Sequence, residues 1–284
     1  VTKEAQADLD AAGVEVCDSG QLWDDLSCLR GCVWLDPSTV SVALWERLPE
    51  HATCYYSASP IVLAKACKNA VEQQGMRDAH RRDGIAMVHF FAWLASHWRG
   101  LTEVSAAESL ETYRQQQPDF QTPSFATICG VGEHGAIVHY RATAETAKAF
   151  TDDALILLDS GGQYLCGTTD ITRMIHLGQP TSQQREHYTL VLKGHLALTR
   201  SVFPRNTCGD HLDVLARQYL WQAGLNYGHG TGHGVGCYLG VHEGPQRIVC
   251  GKAEQALLPG MVLSNEPGVY FEGEYGIRIE NLLL

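Results

Sequence analysis

Between Ala154 and Gly178 the chain reads ALILLDSGGQYLCGTTDITRMIHLG, and two carboxylates in this stretch limit what can fold around it. An apolar run of strand length, Ala154–Leu158, ends on Asp159. A Gly-Gly turn and a short return follow, and a second acid, Asp170, stands eleven residues on among threonines and an isoleucine. That spacing lets neighbouring strands of one hairpin present both acids to the same side. Carboxylates at the buried end of an apolar strand are costly unless a cation meets them. The stretch holds no Lys, and its single Arg, Arg173, cannot balance two acids in one geometry. A metal ion can. Taken alone the stretch leaves a second reading open, in which Asp159 caps a turn and Asp170 is solvated on a strand.

The surrounding pattern occurs twice. In Met76–Trp98, Ile85, Val88, Phe91 and Ala95 recur at helical steps and predict an amphipathic helix with that face inward. A second helix begins at Ser105, with Glu108 completing a capping box, and stops before Pro118. Strand-like segments at Ser124–Cys129 and Ala136–Tyr140 lead into the acid-bearing hairpin. Thr181 and Gln184 then start another helix, with apolar Tyr188, Val191, Leu192 and Leu196. Asp210 and Asp213 start the next, whose stripe is Leu212, Leu215, Ala216, Tyr219 and Leu220. A closing hairpin from Met261 to Leu284 contains SNEPGVYFEGEYGIRIEN, with Glu266 ending an apolar strand and Glu280 on the return. The pairs His139/His242, Asp159/Glu266 and Asp170/Glu280 lie 103, 107 and 110 residues apart, a drift that fits loop insertions in an internal duplication. The fold class expected is α+β.

Residues 1 to about 60 alternate short apolar runs (Val14–Cys17, Cys32–Asp36, Thr53–Ser57) with amphipathic pieces at Gln21–Leu29 and Ser38–Leu48. They predict part of an α/β domain with parallel strands, too thin to hold a core of its own. Ser59-Pro60 marks the boundary, so the domains expected are 1–62 and 63–284. A formal net charge of −11 argues against nucleic-acid or anionic-membrane partners, and no segment has the length of a membrane span. The ten cysteines are scattered without a Cys-x2-Cys pair and read as reduced core thiols of a cytoplasmic protein.

Between the hairpins lies His229-Gly-Thr-Gly-His233-Gly-Val-Gly, too rich in glycine for a helix but suited to close backbone approach to a ligand. Two Asp, two Glu and one imidazole make an oxygen-rich donor set that suits harder divalent ions such as Mn²⁺. Four negative charges are balanced by two such ions, which predicts a dinuclear site able to activate water. Arg278, two residues before Glu280, shares its side of a strand and can orient a carboxylate.

The segments LLDSGGQYLCGTTDITR, HGTGHGVG with VHEGP behind it, NEPGVY and GIRIEN resemble the pita-bread metallopeptidases, and within them the cytosolic Xaa-Pro aminopeptidases. GVGEHGAIVHY at Gly130–Tyr140 matches as well, and residues 1–62 are similar to the tail of the family's creatinase-like middle domain. The resemblance implies a duplicated catalytic domain truncated at its C-terminus. It implies Asp159, Asp170, His233, Glu266 and Glu280 as ligands of two divalent ions, most fittingly Mn²⁺. Glu266 would take the proton of a water bridging the ions, leaving a hydroxide that attacks the carbonyl before proline. His139, His229 and His242 would line the substrate site and handle carbonyl and protons. Cys166 and Cys237 could lie near the metals, although thiolate ligation is not part of the family pattern. The implied partner is a peptide with proline second, and the full-length protein would be a homodimer. A prolidase restricted to dipeptides, or a non-catalytic peptide-binding module, are the alternatives.

Overall fold

The alternation in the first sixty residues folds around one pair of parallel strands. A computed structural model describes residues 2–251 and 253–284. In it, β1 (Cys32–Leu35) and β2 (Thr53–Tyr56) pair in parallel from Cys32↔Thr53 to Leu35↔Tyr56. Helices α1 (Lys3–Ala11), α2 (Leu22–Ser27) and α3 (Val42–Trp45) complete this unit. Val14–Cys17, expected as a third strand, joins no ladder and lies exposed. Leu35 is the one buried residue here among those described, so little core shields these elements. Contacts divide the chain into Val1–Val62 and Leu63–Leu284, and α4 (Pro60–Ala66) spans the division.

In the second unit the Asn69 side chain accepts from the amides of Val71 and Glu72 while Glu72 accepts from the Asn69 amide, and this box opens the long α5 (Ala70–His97). Its buried face is Met76, Ala79, Asp83, Ala86, Met87, Phe90 and Leu94, whereas the expected Ile85, Val88 and Ala95 stay exposed. The reason is Asp83: Arg114 binds it twice, through Nε at 2.7 Å and Nη2 at 3.1 Å, so the true inner face carries a charge that disguises it. Helix α6 (Glu103–Gln115) starts one residue after Thr102, where Thr102 and Ser105 cap each other, a turn earlier than expected. Helix α7 (Ser182–Thr199) has the predicted Thr181/Gln184 box. Helix α8 (Gly209–Gln222) begins after Cys208 rather than at Asp210; a Cβ on Gly209 would lie 2.0 Å from the Arg247 carbonyl oxygen.

Each helix pair is followed by a nested hairpin. After β3 (Phe120–Pro123) and β4 (Ile128–Val131), the outer strands β5 (Leu155–Ser160) and β8 (Ile171–His176) pair antiparallel, enclosing β6 (Gly162–Tyr164) and β7 (Gly167–Thr168). After β9 (Gly232–His233) and β10 (Arg247–Ile248), β11 (Leu263–Asn265) pairs with β14 (Asn281–Leu283) around the inner β12 (Gly268–Phe271) and β13 (Tyr275–Arg278). This is a pita-bread fold, with the same order of elements in both halves. Ala136–Tyr140 is not the expected strand: the Ile137 amide donates to His134 and the Tyr140 amide to Ile137, two successive turns.

The sheet of β4, β5 and β8 separates two apolar layers. Phe90 and Leu94 of α5 and Leu110 of α6 pack with Ile156 and Leu158 of β5. Val191 of α7 and Leu220 of α8 pack with Leu155, Val269 and Ile277. Of the ten free cysteines only Cys129 is buried, so the expected core thiols are mostly at the surface or half-buried. Among the described residues no helix is long and apolar enough to cross a membrane.

Candidate metal centre

Each acid stands where an outer ladder hands over to an inner one. Asp159 is the penultimate residue of β5 and Asp170 immediately precedes β8; Glu266 follows β11 and Glu280 precedes β14. His233 ends β9, and the neighbouring Gly234 bridges to Leu263, which brings the glycine-rich segment against β11. A Cβ on Gly232 would lie 1.9 Å from the Ser264 carbonyl oxygen. The close approach expected of these glycines is therefore to a strand.

All five side chains line one cavity of about 400 Å³, together with His139, His229, His242 and Arg278. His233 Nε2 is 3.4 Å from Asp170 Oδ2 and 3.4 Å from Glu266 Oε1. Ligand-type atoms of Asp170, His233 and Glu280 all lie within 4.8 Å of one another. His233 Nδ1 donates to the Gly234 carbonyl at 3.0 Å, which leaves Nε2 facing the acids. The Thr172 hydroxyl donates to Glu280 at 2.7 Å and the Ser264 hydroxyl to Glu266 at 2.9 Å.

Burial, and then the neighbouring acids, push the carboxyls of Asp170 and Glu280 well above the usual range. Burial raises Glu266 too, against the pull of His233 and Arg278. Asp159 accepts from Arg278 Nη2 at 2.6 Å through Oδ2, while its buried Oδ1 has no donor. Four carboxyls and an imidazole nitrogen thus face one volume with few donors between them. A divalent cation supplies what the cluster lacks, and an oxygen-rich set with one nitrogen fits such an ion.

A directed chain of hydrogen bonds runs outward from Asp159. Arg278, 2% exposed, donates through Nη1 to the Tyr270 hydroxyl at 2.8 Å. Tyr270 donates to His229 Nε2 at 2.8 Å, and His229 Nδ1 donates to the Gly230 carbonyl at 2.7 Å. Both ring nitrogens of His229 are therefore engaged within the protein, and burial, assisted by Arg278 and Arg217, lowers its pKa to about 4. Arg217 of α8, paired with Asp213 at 2.6 Å, also holds the His229 carbonyl at 2.7 Å. His139 and His242 expose their side chains into the cavity, and the His242 ring meets that of His233 edge-on at 4.3 Å. Cys166 and Cys237 do not line it.

Tyr270 is the residue that sequence reasoning missed. Its signal is register: Tyr270↔Gly276 and Gly268↔Arg278 pair across β12 and β13, which sets Tyr270 and Arg278 diagonally on one face.

The sequence profile of metallopeptidase family M24 matches residues 74–284, most of the chain, and that of the creatinase/prolidase N-terminal domain matches residues 1–72. The chain belongs to metallopeptidase family M24. This M24 chain is 53% identical over 232 residues to the Neurospora crassa "Probable Xaa-Pro aminopeptidase P", an alignment covering 80% of this chain and 34% of that one. The Caenorhabditis elegans X-prolyl aminopeptidase, a cytosolic enzyme with a di-nuclear active site, superimposes with a TM-score of 0.90 at 37% identity, over 99% of this chain and 48% of that one. The Xaa-Pro dipeptidase of Bacillus anthracis superimposes with a TM-score of 0.86 at 25% identity, over 99% of this chain and 78% of that one. The M24 chain spans about a third to a half of the length of the two aminopeptidases.

Proposed function

We propose that this chain carries the catalytic site of an aminopeptidase that hydrolyses the bond between an N-terminal residue and a proline in second position. The observation that carries the reading is the convergence of Asp170, His233 and Glu280 within 4.8 Å, in a cavity that also takes in Asp159 and Glu266. Those five would hold two divalent ions, most fittingly Mn²⁺, because oxygen donors predominate and no thiolate lines the cavity. When bound, the ions supply a Lewis acid for the scissile carbonyl and make a nearby water easier to deprotonate.

The remaining work belongs to side chains. Glu266, whose basicity burial raises, takes a proton from the attacking water and passes it to the departing prolyl nitrogen. His139 and His242 donate to the carbonyl oxygen as negative charge develops there. His229 has no free ring nitrogen for the substrate and instead fixes Arg278 through Tyr270, which keeps Asp159 in place. Proline in second position lacks an amide hydrogen and has a fixed φ, so a site that grips it serves bonds other aminopeptidases leave. The names of the Neurospora and Caenorhabditis relatives support this reading. A cytoplasmic location follows the Caenorhabditis enzyme and ten free cysteines; a homodimer of the full-length protein is tested by light scattering.

The Mn²⁺-loaded chain is assayed on Ala-Pro-Ala, Ala-Pro and Ala-Ala-Ala. Cleavage of the proline tripeptide, abolished in Asp170→Ala and His233→Ala, is the expected result. Cleavage of the dipeptide alone moves the assignment to a dipeptidase, the alternative that the Bacillus anthracis likeness favours. Peptide binding without any cleavage leaves only a binding module.

A further inference from the structure

Away from the metal centre, Glu103 gathers more donors than the acid at a helix start needs. It is the first residue of α6 and has 0% exposure. Its Oε1 accepts from the Val131 amide and from His134 Nδ1, both at 2.8 Å. Its Oε2 accepts from the Tyr140 hydroxyl at 2.8 Å and the Lys148 amide at 2.9 Å. An acid favoured by the helix dipole could stay in water and do the same for α6. Here the carboxylate has left water entirely, and each of its partners lies in the segment 131–148.

That segment carries a wall of the cavity. Val138, His139, Tyr140 and Arg141 line it, yet the stretch beyond Val131 has turns in place of a ladder. Glu103 replaces the missing ladder. It ties Val131 and Lys148, the two ends of the segment, and its own amide donates to the Lys148 carbonyl at 3.0 Å. It also ties the interior, where the rings of His134 and Tyr140 lie 4.4 Å apart. Tyr140 adjoins His139. Burial and then the bond to Glu103 push the Tyr140 hydroxyl up to about 12, so it remains a donor at any working pH.

We propose that Glu103 is the positioning residue for the cavity wall that bears His139, and thereby sets peptide binding without touching the metal ligands. The peptidase reading enters only in naming a peptide as what this wall meets. Glu103→Gln conserves shape but aims an amide NH₂ at donors that need an acceptor. Tyr140→Phe removes a single bond.

Three readouts decide the matter: amide exchange at Val131 and Lys148 in EDTA, Mn²⁺ content, and KM and kcat on Ala-Pro-Ala. In Glu103→Gln, protection at both amides falls about tenfold or more while that of Leu110 in α6 is unchanged. KM rises about tenfold or more, kcat changes less, and metal content holds. Tyr140→Phe shows a smaller rise in KM, and the double variant is no worse than Glu103→Gln, since both act through one segment. A wild-type KM in Glu103→Gln, loss of metal alongside the KM change, or additive effects in the double variant overturns the proposal. Should Glu103→Gln fail to fold, Tyr140→Phe decides by the same split between KM and metal content. Should the wild-type chain cleave no peptide, the peptidase reading falls, and exchange at Val131 and Lys148 with the imidazole NMR signals of His139 still judges Glu103.

Discussion

Replacing Arg278 by Met removes the cation that pairs with Asp159. Among the described residues its Nη2 gives Asp159 the one hydrogen bond that carboxylate receives, at 2.6 Å, and the other oxygen is buried without a donor. A buried charge stripped of its partner costs about 3–5 kcal/mol, so the Arg278→Met protein in EDTA should lose about that much stability at pH 7. Urea unfolding of both proteins reads this directly. A loss below about 1 kcal/mol refutes the reasoning.

Two further outcomes follow from the same geometry. Gly232→Ala drives a Cβ to 1.9 Å from the Ser264 carbonyl oxygen, which should cost about 3 kcal/mol and separate His233 from Glu266. Wild-type Mn²⁺ affinity in that variant, by calorimetry, would contradict the placement of the loop. Asp170, Glu266 and Glu280 hold their protons to higher pH when folded than the unfolded chain, which releases them near pH 4. Their contribution to the stability of the metal-free protein is complete below that value and is lost as pH rises through the folded pKa values. Mn²⁺ must displace those protons, so calorimetry in buffers of different ionisation enthalpy should register more protons released at pH 6 than at pH 8; equal release at both would remove this account of the cluster.

Features that announce themselves locally were legible in the sequence. The Thr181/Gln184 box begins α7 where its spelling says, because both halves of the cap are adjacent residues. The acid at the end of an apolar strand, twice, pointed to a fold with two matched hairpins. What was illegible depends on partners distant along the chain. The inner face of α5 was misread because Asp83 is neutralised by Arg114, thirty-one residues away. Ser105 and Glu108 spell a capping box as well as Thr102 and Ser105 do, and only the second pair has the geometry. Tyr270 acquires a role only once hairpin register sets it beside Arg278 and a loop from α8 brings up His229. Glu103 lies before the helix start that Ser105 and Glu108 spell, and its role rests on four donors that arrive from the segment 131–148.

Anomalous diffraction from crystals soaked in Mn²⁺, recorded at the manganese edge, tests the central claim most directly. Two peaks about 3.5–4 Å apart, enclosed by Asp159, Asp170, His233, Glu266 and Glu280, are the predicted result. Mn²⁺ bound elsewhere on the molecule, with no peak among those five side chains, would contradict it.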